Sequence, residues 1–371
     1  MKVLGLILCG SKKDNLETLT KKRTSAAVPI FGKYRAIDFT LSNMVNSGIN
    51  KVGVLTQYNP RSLMDHLGSG KEWNLDRKRG GMFILQPFMS EKDDIMHYRG
   101  TSDAIYQNMT LLKRSDEDFV LIGSGDHICN IDFKELYKYH IRNGADITLV
   151  TKENDGQYNH KLYGQVVSEN GRIKKIYEKI DEEKSKELFL GIVFINKSLL
   201  MELLYSTVPE GKYDMLMDII IPNLSKLRVF SYKFEGYWKN IKKSVEEYYK
   251  INMDVLNREI RNELFYSKRK IYTKLKDFAP AKININAKVS DSFIADGCIV
   301  NGIVKNSVLS RGVIVKAGAV VEDSIILQEG LIEEGAKVKR TILDKDVTVR
   351  DGRILESREN EIIIIDKGTV L

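Results

Sequence analysis

The feature that most constrains this chain is a column of β-branched aliphatic residues spaced six apart in its C-terminal third. The column consists of Val308, Ile314, Val320, Ile326, Ile332 and Val338. Small residues, mostly glycine, alanine or serine, stand four positions after most of them. A period of six matches neither the helical period of 3.6 nor the strand period of 2. It is typical of a hexapeptide β-helix, whose coils each bury one aliphatic residue per hexad. The period changes after Pro280, so we predict a β-helix domain over residues 281–371.

The N-terminal part follows a different pattern, in which short apolar runs alternate with stretches of helical spacing. The apolar runs are Val3–Leu8, Lys51–Thr56, Phe119–Gly123 and Ala145–Val150. Strands that alternate with helices predict an α/β, Rossmann-like fold with a mostly parallel sheet covered on both faces. Ligands bind such sheets at the carboxyl ends of the strands, so polar residues directly after each run are the first site candidates. We place this domain at residues 1–243 and a helical, basic linker at 244–280.

Composition excludes several classes of protein. Of the 371 residues, 43% are hydrophobic and 29% charged, which is ordinary for a folded chain and excludes a disordered one. No apolar run approaches the roughly 20 residues that cross a bilayer, so no membrane association is predicted. The three cysteines, Cys9, Cys129 and Cys298, are odd in number and widely spaced. This excludes a disulfide framework and a zinc motif, and it predicts a cytoplasmic protein.

The net charge of +8 permits phosphate-bearing ligands, but the charges are dispersed along the chain. The aromatic residues form no RNA-reading motif, so no nucleic-acid partner is predicted. A basic run over residues 268–276 lies at the boundary between the two patterns. It either binds a phosphorylated effector or is a solvated linker, and the sequence leaves both readings open.

Several ordered motifs occur along most of the chain. They lie at residues 33–48, 55–58, 99–108, 125–127, 178–179, 237–238 and 252–256. Together they resemble the ADP-glucose pyrophosphorylase (glucose-1-phosphate adenylyltransferase) family. The resemblance implies a nucleotidyltransferase-like mixed sheet followed by a left-handed β-helix. It also implies a reaction in which ATP and glucose 1-phosphate give ADP-glucose and pyrophosphate, with Mg²⁺ bridging the phosphates. The residues it places at the nucleotide are Gly10, Gln57, Gly100, Thr101 and Asp126, and those it places at the sugar phosphate are Glu178, Lys179 and Asp214.

The phosphate-binding turn departs from that family's pattern. The family motif Gly-Gly-x-Gly-Thr-Arg-Leu reads Gly-Ser-Lys-Lys-Asp-Asn-Leu over residues 10–16. Ser11 and Lys13 stand where glycines are expected, and a Cβ there obstructs the approach of a phosphate. Asn15 replaces the arginine, and Ser25 replaces a second phosphate-facing cation, a lysine. Compensation by the charge of Lys12 or Lys13 stays open.

The metal-binding pair is also incomplete. The family motif Tyr-Trp-Arg-Asp-Val-Gly-Thr reads Tyr-Trp-Lys-Asn-Ile-Lys-Lys over residues 237–243. Asn240 therefore stands at the second metal-binding aspartate, which leaves Asp126 as the only carboxylate of the pair. Mg²⁺ favours carboxylate oxygen, and the nearby charges of Lys242 and Lys243 disfavour a cation further. We expect no cofactor in this chain, whereas catalytic members of the family use Mg²⁺ and ATP.

These departures imply a regulatory subunit of the GlgD type that has little or no activity. Its implied partner is the catalytic glucose-1-phosphate adenylyltransferase subunit, in a hetero-oligomer, expected to be a tetramer, that serves glycogen synthesis. Homo-oligomers and a retained pocket for nucleotide or sugar phosphate stay open. A weakly active adenylyltransferase that uses Asp126 alone is the alternative. An acyltransferase of the hexapeptide class is disfavoured because no histidine follows His160.

Overall fold

The computed structural model describes residues 1–10, 15–87, 97–357 and 361–371. These residues form an N-terminal α/β domain, two connecting helices and a C-terminal parallel β-helix. Ser11 and Lys13, two of the predicted positions, lie outside the described residues.

The N-terminal domain is built on a nine-stranded mixed sheet. Its strands are β1 (Val3–Cys9), β2 (Lys51–Thr56), β3 (Gly81–Leu85), β4 (Phe119–Ser124), β5 (Ile147–Glu153), β6 (Gly164–Glu169), β7 (Arg172–Glu178), β8 (Glu187–Asn196) and β9 (Val229–Lys233). The strand order is β3-β2-β1-β4-β8-β5-β9-β7-β6. Strands β3, β2, β1 and β4 are parallel, while β8 runs antiparallel between β4 and β5. All four predicted apolar runs become strands of this sheet, which confirms the α/β class.

The sheet is buried on both faces, as the continuous apolar runs predict. In β1, Val3 and Ile7 pack into one hydrophobic cluster, whereas Leu4 and Leu6 pack into another. Successive side chains of a strand point to opposite faces, so the two clusters lie on either side of the sheet. The helices of this domain are α1 (Ala36–Asn46), α2 (Arg61–Leu67), α3 (Thr101–Gln107), α4 (Met109–Lys113), α5 (Phe133–Arg142) and α6 (Lys197–Thr207).

The linker predicted at residues 244–280 contains two helices. Helix α7 spans Val245–Asp254 and helix α8 spans Arg258–Phe265. The break lies at Asn257, whose side chain accepts a hydrogen bond from the backbone N–H of Glu259 and so caps α8. Asparagine favours such a cap over the interior of a helix. The chain then runs without helix or strand to the β-helix.

The C-terminal domain consists of three five-stranded parallel sheets. The first contains Lys282–Ile283, Ile299–Val300, Ile314–Val315, Leu331–Ile332 and Thr348–Val349; the second contains Lys288–Ser290, Ile303–Lys305, Val320–Glu322, Lys337–Lys339 and Ile354–Glu356; the third contains Phe293–Ile294, Val308–Leu309, Ile325–Ile326, Thr341–Leu343 and Ile363–Ile365. Each strand pairs in parallel with its counterpart one coil further along. This architecture confirms the predicted β-helix.

Only some residues of the column predicted from the six-residue spacing point into the β-helix. Val320 pairs with Lys337, and Lys337 with Ile354, so a coil takes 17 residues rather than 18. A strict period of six therefore slips along the coils, and it slips further where Ile299 pairs with Ile314, only 15 residues on. Ile326, Ile332 and Val338 do point inward, whereas the inward residues of the preceding steps are Val315 and Val321, next to the predicted positions.

The third sheet of the β-helix is covered by the rest of the chain. The outward residues Val308, Ile325 and Ile342 are fully buried in one cluster with Tyr248 and Ile251 of helix α7. Val308, expected inside the β-helix, thus packs on its outside. The β-helix therefore packs against the rest of the chain through this apolar face.

A search of the described residues for helices that could span a membrane finds none of sufficient length and hydrophobicity.

Candidate functional site

A cleft of about 910 Å³ opens at the carboxyl ends of β1, β2 and β4. This is where open α/β sheets place their ligands. The predicted positions that line it are Gly10, Ser25, Gln57, Gly100, Thr101, Asp126, Glu178, Lys179, Asp214 and Asn240. The fold therefore brings together positions that are up to 230 residues apart in the sequence.

Asp126 and Asn240 are placed side by side by a short antiparallel ribbon. The strand His127–Cys129 pairs with Trp238–Asn240, so that Asn240 lies opposite His127. The amide nitrogen of Asn240 lies 3.5 Å from Oδ1 of Asp126. Both side chains are buried at the floor of the cleft.

The carboxylate of Asp126 is already surrounded by protein donors. The ammonium group of Lys242 lies 3.0 Å from its Oδ2, and the hydroxyl of Ser124 donates a hydrogen bond of 2.5 Å to its Oδ1. Burial by itself would raise the pKa of this carboxyl group, but Lys242 and Ser124 outweigh it and hold the pKa at about 2. Asp126 is therefore ionised at neutral pH and paired with an internal cation.

His127 lines the cleft beside this pair. Burial lowers its pKa to about 4, and the nearby charge of Lys242 acts in the same direction. The imidazole is accordingly neutral at pH 7, and it packs edge-on against Trp238. It contributes no charge to ligand binding.

The described residues do not fit a magnesium site. No group of three or more histidine, cysteine or acidic side chains in the described ranges is arranged to hold a metal ion. Within the described ranges, Asp126 is the one carboxylate at the expected place, and the ammonium of Lys242 lies against it. Mg²⁺ binds through carboxylate and phosphate oxygens, and an adjacent ammonium group repels it.

Asn15, at the position of the expected arginine, makes backbone contacts instead of facing the cleft. Its side-chain amide donates to the carbonyl of Lys243 at 3.0 Å, and its backbone N–H donates to the carbonyl of Lys242 at 3.2 Å. The residue is exposed. It anchors the segment that carries the two lysines.

Lys243 contributes a second cation to the cleft wall. Its ammonium donates to the carbonyl of Leu162 at 2.8 Å and lies 4.1 Å from the centre of the Tyr163 ring. Burial, together with the charge of Lys242, lowers its pKa to about 8. The group remains mostly protonated at pH 7.

Several nucleotide-site residues are engaged in holding the loops together. The amide of Gln57 donates to the carbonyl of Gly10 at 2.6 Å and accepts from the backbone N–H of Tyr98 at 2.7 Å. The hydroxyl of Thr101 accepts from the backbone N–H of Met215 at 2.8 Å. A Cβ on Gly100 would lie 2.3 Å from the carbonyl oxygen of Tyr213, so packing requires glycine there.

The sugar-phosphate side of the cleft is retained in part. Glu178 and Lys179 form an ion pair at 2.9 Å, with the ammonium largely exposed. Asp214 caps the short π-helix Met215–Ile220, because its Oδ1 accepts from the backbone N–H groups of Leu216 and Met217. The ring of Phe189 also lines the cleft.

A second, smaller cavity of about 160 Å³ lies between the N-terminal domain and the β-helix. Among the described residues, six basic side chains line it, Lys33, Arg35, Lys274, Lys276, Arg311 and Lys345, against one carboxylate, Asp65. The volume corresponds to about five water molecules at about 30 Å³ each. We call it the junction cavity.

The charges of the junction cavity are poorly compensated. Burial, together with the guanidinium groups of Arg35 and Arg23, lowers the pKa of Lys345 to about 7. Burial likewise lowers the pKa of Arg35 to about 10, with a smaller contribution from Arg23. The Nε of Arg311 is buried and has no hydrogen-bond partner among the described residues. Such a cluster is stabilised by an external anion.

Sequence reasoning identified only part of this cavity. The predicted basic run contributes Lys274 and Lys276, but Arg35, Arg311 and Lys345 come from distant segments and carry no motif. The basic run is also not a free linker, because Asn130 donates to the carbonyl of Arg269 and Asn46 to that of Lys270. Ser124 was missed as well, although it precedes Gly125 and Asp126 directly.

Comparison with known proteins supports the identification of a nucleotidyltransferase-like domain followed by a hexapeptide β-helix. A family model described as nucleotidyl transferase matches residues 4–258, and a GlmU-like C-terminal hexapeptide model matches residues 277–361. The glucose-1-phosphate adenylyltransferase of Fervidobacterium nodosum is 36% identical over 356 residues, which cover 95% of this chain and 84% of that protein. Those of Bacillus thuringiensis (strain Al Hakam) and Bacillus cereus (strain ATCC 10987) are 36% identical over 372 residues, covering 99% of this chain and 98% of each relative.

Two matched domains in the same order and near full-length coverage leave one assignment: this chain belongs to the glucose-1-phosphate adenylyltransferase family of nucleotidyl transferases.

Proposed function

We propose that this chain is a regulatory subunit of glucose-1-phosphate adenylyltransferase, of the GlgD type, with little or no activity of its own. It acts in the cytoplasm by assembling with the catalytic subunit and modulating ADP-glucose synthesis for glycogen. The observation that carries the proposal is the floor of the cleft, where Lys242 and Asn240 stand beside Asp126 in place of a second carboxylate.

Loss of turnover follows from the chemistry of adenylyl transfer. The reaction needs a cation that bridges the phosphates and donors that stabilise charge as it develops. Asn240 supplies a neutral amide, and Asn15 is directed at backbone carbonyls rather than at the cleft. Ser25, in place of a lysine, lines the cleft without a charge. Removing one such group commonly costs 10²–10³-fold in rate, and here several are absent.

Outward apolar residues on the β-helix support assembly with a partner. On its first sheet, Ile299, Ile314 and Leu331 stack in register on the outer side, while Val315 of the same strand as Ile314 faces the core. On the second sheet, Ile303 is exposed in the same way. Ile299 and Ile303 are exposed while Ile314 and Leu331 are half-buried, and such aliphatic rows on the surface of a folded protein mark protein–protein contacts. We assign this surface to the catalytic subunit, in a hetero-oligomer that we expect to be a tetramer.

The junction cavity supports a regulatory role, because it suits a phosphorylated effector. Six basic side chains against one carboxylate attract a multiply charged anion. Both domains contribute to the cavity, so an anion there would change how they are held together. Allosteric couplings of this kind are typically about 1–3 kcal/mol.

The experiment that tests the proposal is co-expression with the catalytic subunit of the same organism. We expect the two chains to co-purify, and the catalytic subunit to change its effector response when this chain is present. Separate purification of the two chains with unchanged kinetics of the catalytic subunit would contradict the proposal.

The alternative is a weakly active adenylyltransferase that uses Asp126 alone. It is favoured only by the retention of Asp126, Glu178 and Lys179 in one cleft. Purified protein with ATP, Mg²⁺ and glucose 1-phosphate separates the two readings, since the regulatory proposal expects no more than trace pyrophosphate release.

A further inference from the structure

The substitutions at the floor of the cleft compensate one another in charge. In the family's pattern, two carboxylates and one Mg²⁺ sum to zero. Here the carboxylate of Asp126, the neutral amide of Asn240 and the ammonium of Lys242 also sum to zero. The ammonium lies within 3.0 Å of the carboxylate, as a bound cation would.

We propose that Lys242 is a built-in replacement for the divalent cation, and that the cleft binds the phosphates of a sugar nucleotide without any metal ion. This inference rests on the proposed function, because it treats the cleft as a binding site without turnover. The same residue that excludes Mg²⁺ supplies the positive charge for the ligand.

The position of Lys242 suits this role. Its side chain is 28% exposed and lines the cleft, so it reaches ligand as well as Asp126. An ammonium group has three N–H donors, so a bond to Asp126 is compatible with a bond to a phosphate oxygen. Asn240 fixes the segment, because its side-chain oxygen accepts from the backbone N–H of Lys242 at 3.1 Å.

The surroundings point to a ligand with phosphate between two other groups. Lys243 adds a second cation next to Lys242 on the cleft wall. Glu178 and Lys179 lie on one side of the cleft, and Gly10 and Gln57 on the other. A sugar nucleotide, whose diphosphate joins a sugar to a nucleoside, matches this order of groups.

The test is calorimetric titration of the full-length protein with ADP-glucose, once in EDTA and once in excess Mg²⁺. We expect the dissociation constants in the two buffers to agree within about twofold. Binding that requires Mg²⁺, or no binding in either buffer, would overturn the inference. Regulation of the catalytic subunit is measured separately by co-purification, so the two proposals fail independently.

Variants assign the effect to Lys242. We expect Lys242→Met to weaken binding about tenfold or more in EDTA, as loss of a charge-assisted hydrogen bond implies. Lys138→Met is the matched control, since Lys138 is also paired with a carboxylate but lies exposed on α5. The double variant Asp126→Asn/Lys242→Met removes both charges of the pair and keeps the fold testable if the single variant is unstable. Unweakened binding in both Lys242 variants would contradict the role of the lysine.

The converse variant, Asn240→Asp/Lys242→Gly, recreates two uncompensated carboxylates with the residues of the family motif. We expect its melting temperature to rise when Mg²⁺ is added, whereas that of the wild type stays unchanged. Its ADP-glucose binding should become Mg²⁺-dependent. A Mg²⁺ response of the wild type equal to that of the variant would contradict the replacement.

Discussion

The two cavities of this protein treat positive charge in opposite ways. In the cleft, Lys242 is paired with Asp126 and Lys179 with Glu178, so much of the positive charge is compensated within the protein. In the junction cavity, six basic side chains face one carboxylate, and mutual repulsion contributes to lowering the pKa of Lys345. The charge at the cleft floor is balanced without an added cation, whereas the positive charge of the junction cavity is balanced only by an added anion.

This difference predicts which of the two cavities responds to ions in solution. A site that supplies its own counter-charge responds weakly to ions in solution, and a site with unbalanced buried charge responds strongly. The comparison therefore predicts that divalent cations leave the cleft unchanged and that anions stabilise the junction.

The largest effect is expected at Arg23, a cation near the junction cavity that is paired with its own carboxylate. Arg23 donates two hydrogen bonds to Asp344 of the β-helix, at 2.9 and 2.6 Å, and both side chains are buried. Arg23→Met should lower the free energy of unfolding by about 3–5 kcal/mol, because it leaves a buried charge without a partner. Chemical denaturation measures this.

The matched control is the exposed pair between Lys21 and Asp366, which joins the same two domains. Lys21→Met should cost less than about 1 kcal/mol, since solvent screens exposed pairs. Equal losses in the two variants would mean that burial of the Arg23 pair is not what makes it important.

The next effect concerns catalysis in the cleft. The combined variant carries Asn240→Asp, Lys242→Gly, Asn15→Arg, Ser11→Gly, Lys13→Gly and Ser25→Lys. We expect it to release pyrophosphate at least about 10²-fold faster than the wild type, because it restores the metal site and the phosphate-facing cations. A coupled pyrophosphate assay measures the rate.

The same variant without Lys242→Gly is the informative comparison. It should remain close to the wild type, because the ammonium still occupies the side of Asp126 where the metal would bind. If both variants gain activity equally, Lys242 does not exclude the metal and the comparison of the two cavities weakens.

A smaller effect is expected for anion binding at the junction. Sulfate, which does not titrate above pH 6, should raise the melting temperature of the wild type. In Arg311→Met and in Lys345→Met, its affinity should fall about tenfold, since each variant removes a charge that faces the cavity. Lys242→Met should leave the sulfate response unchanged, which separates the two cavities.

The smallest effect is a pH dependence of that affinity. A lysine whose pKa is about 7 passes from about 90% charged at about pH 6 to about 10% charged at about pH 8. Sulfate affinity should therefore fall several-fold as the pH rises through 7. His66, Arg35 and Lys276 also line the cavity, so the slope is compared with that of Lys345→Met, in which it should flatten. An unchanged slope would assign the dependence to another group.

Much of the fold follows from local sequence patterns, but the details of the β-helix do not. The spacing of six predicts the coil, yet it cannot show where the strict period slips along the coils. Val308 is a β-branched aliphatic residue like those that point inward. It lies on the outside of the β-helix because helix α7 packs there and buries it. Tertiary packing decides between the two faces of a short strand.

The candidate site was predictable where it rests on motifs. Asp126 and Asn240 lie in recognisable segments, and the ribbon that joins them brings them together. The ion pair of Lys242 and the backbone contacts of Asn15 depend on side-chain direction, which spacing does not give. The junction cavity is assembled from isolated residues of both domains, so no single sequence motif predicts it.

The cluster of Asp126, Asn240 and Lys242 also has a consequence for the history of such a chain. Reverting Asn240 to aspartate leaves the ammonium against Asp126, and reverting Lys242 to glycine leaves a single carboxylate. Neither reversion alone rebuilds a metal site, and each leaves an uncompensated negative charge at a buried floor. Rebuilding the metal site therefore requires both substitutions in the same chain, because either one alone leaves the buried floor with an unbalanced charge.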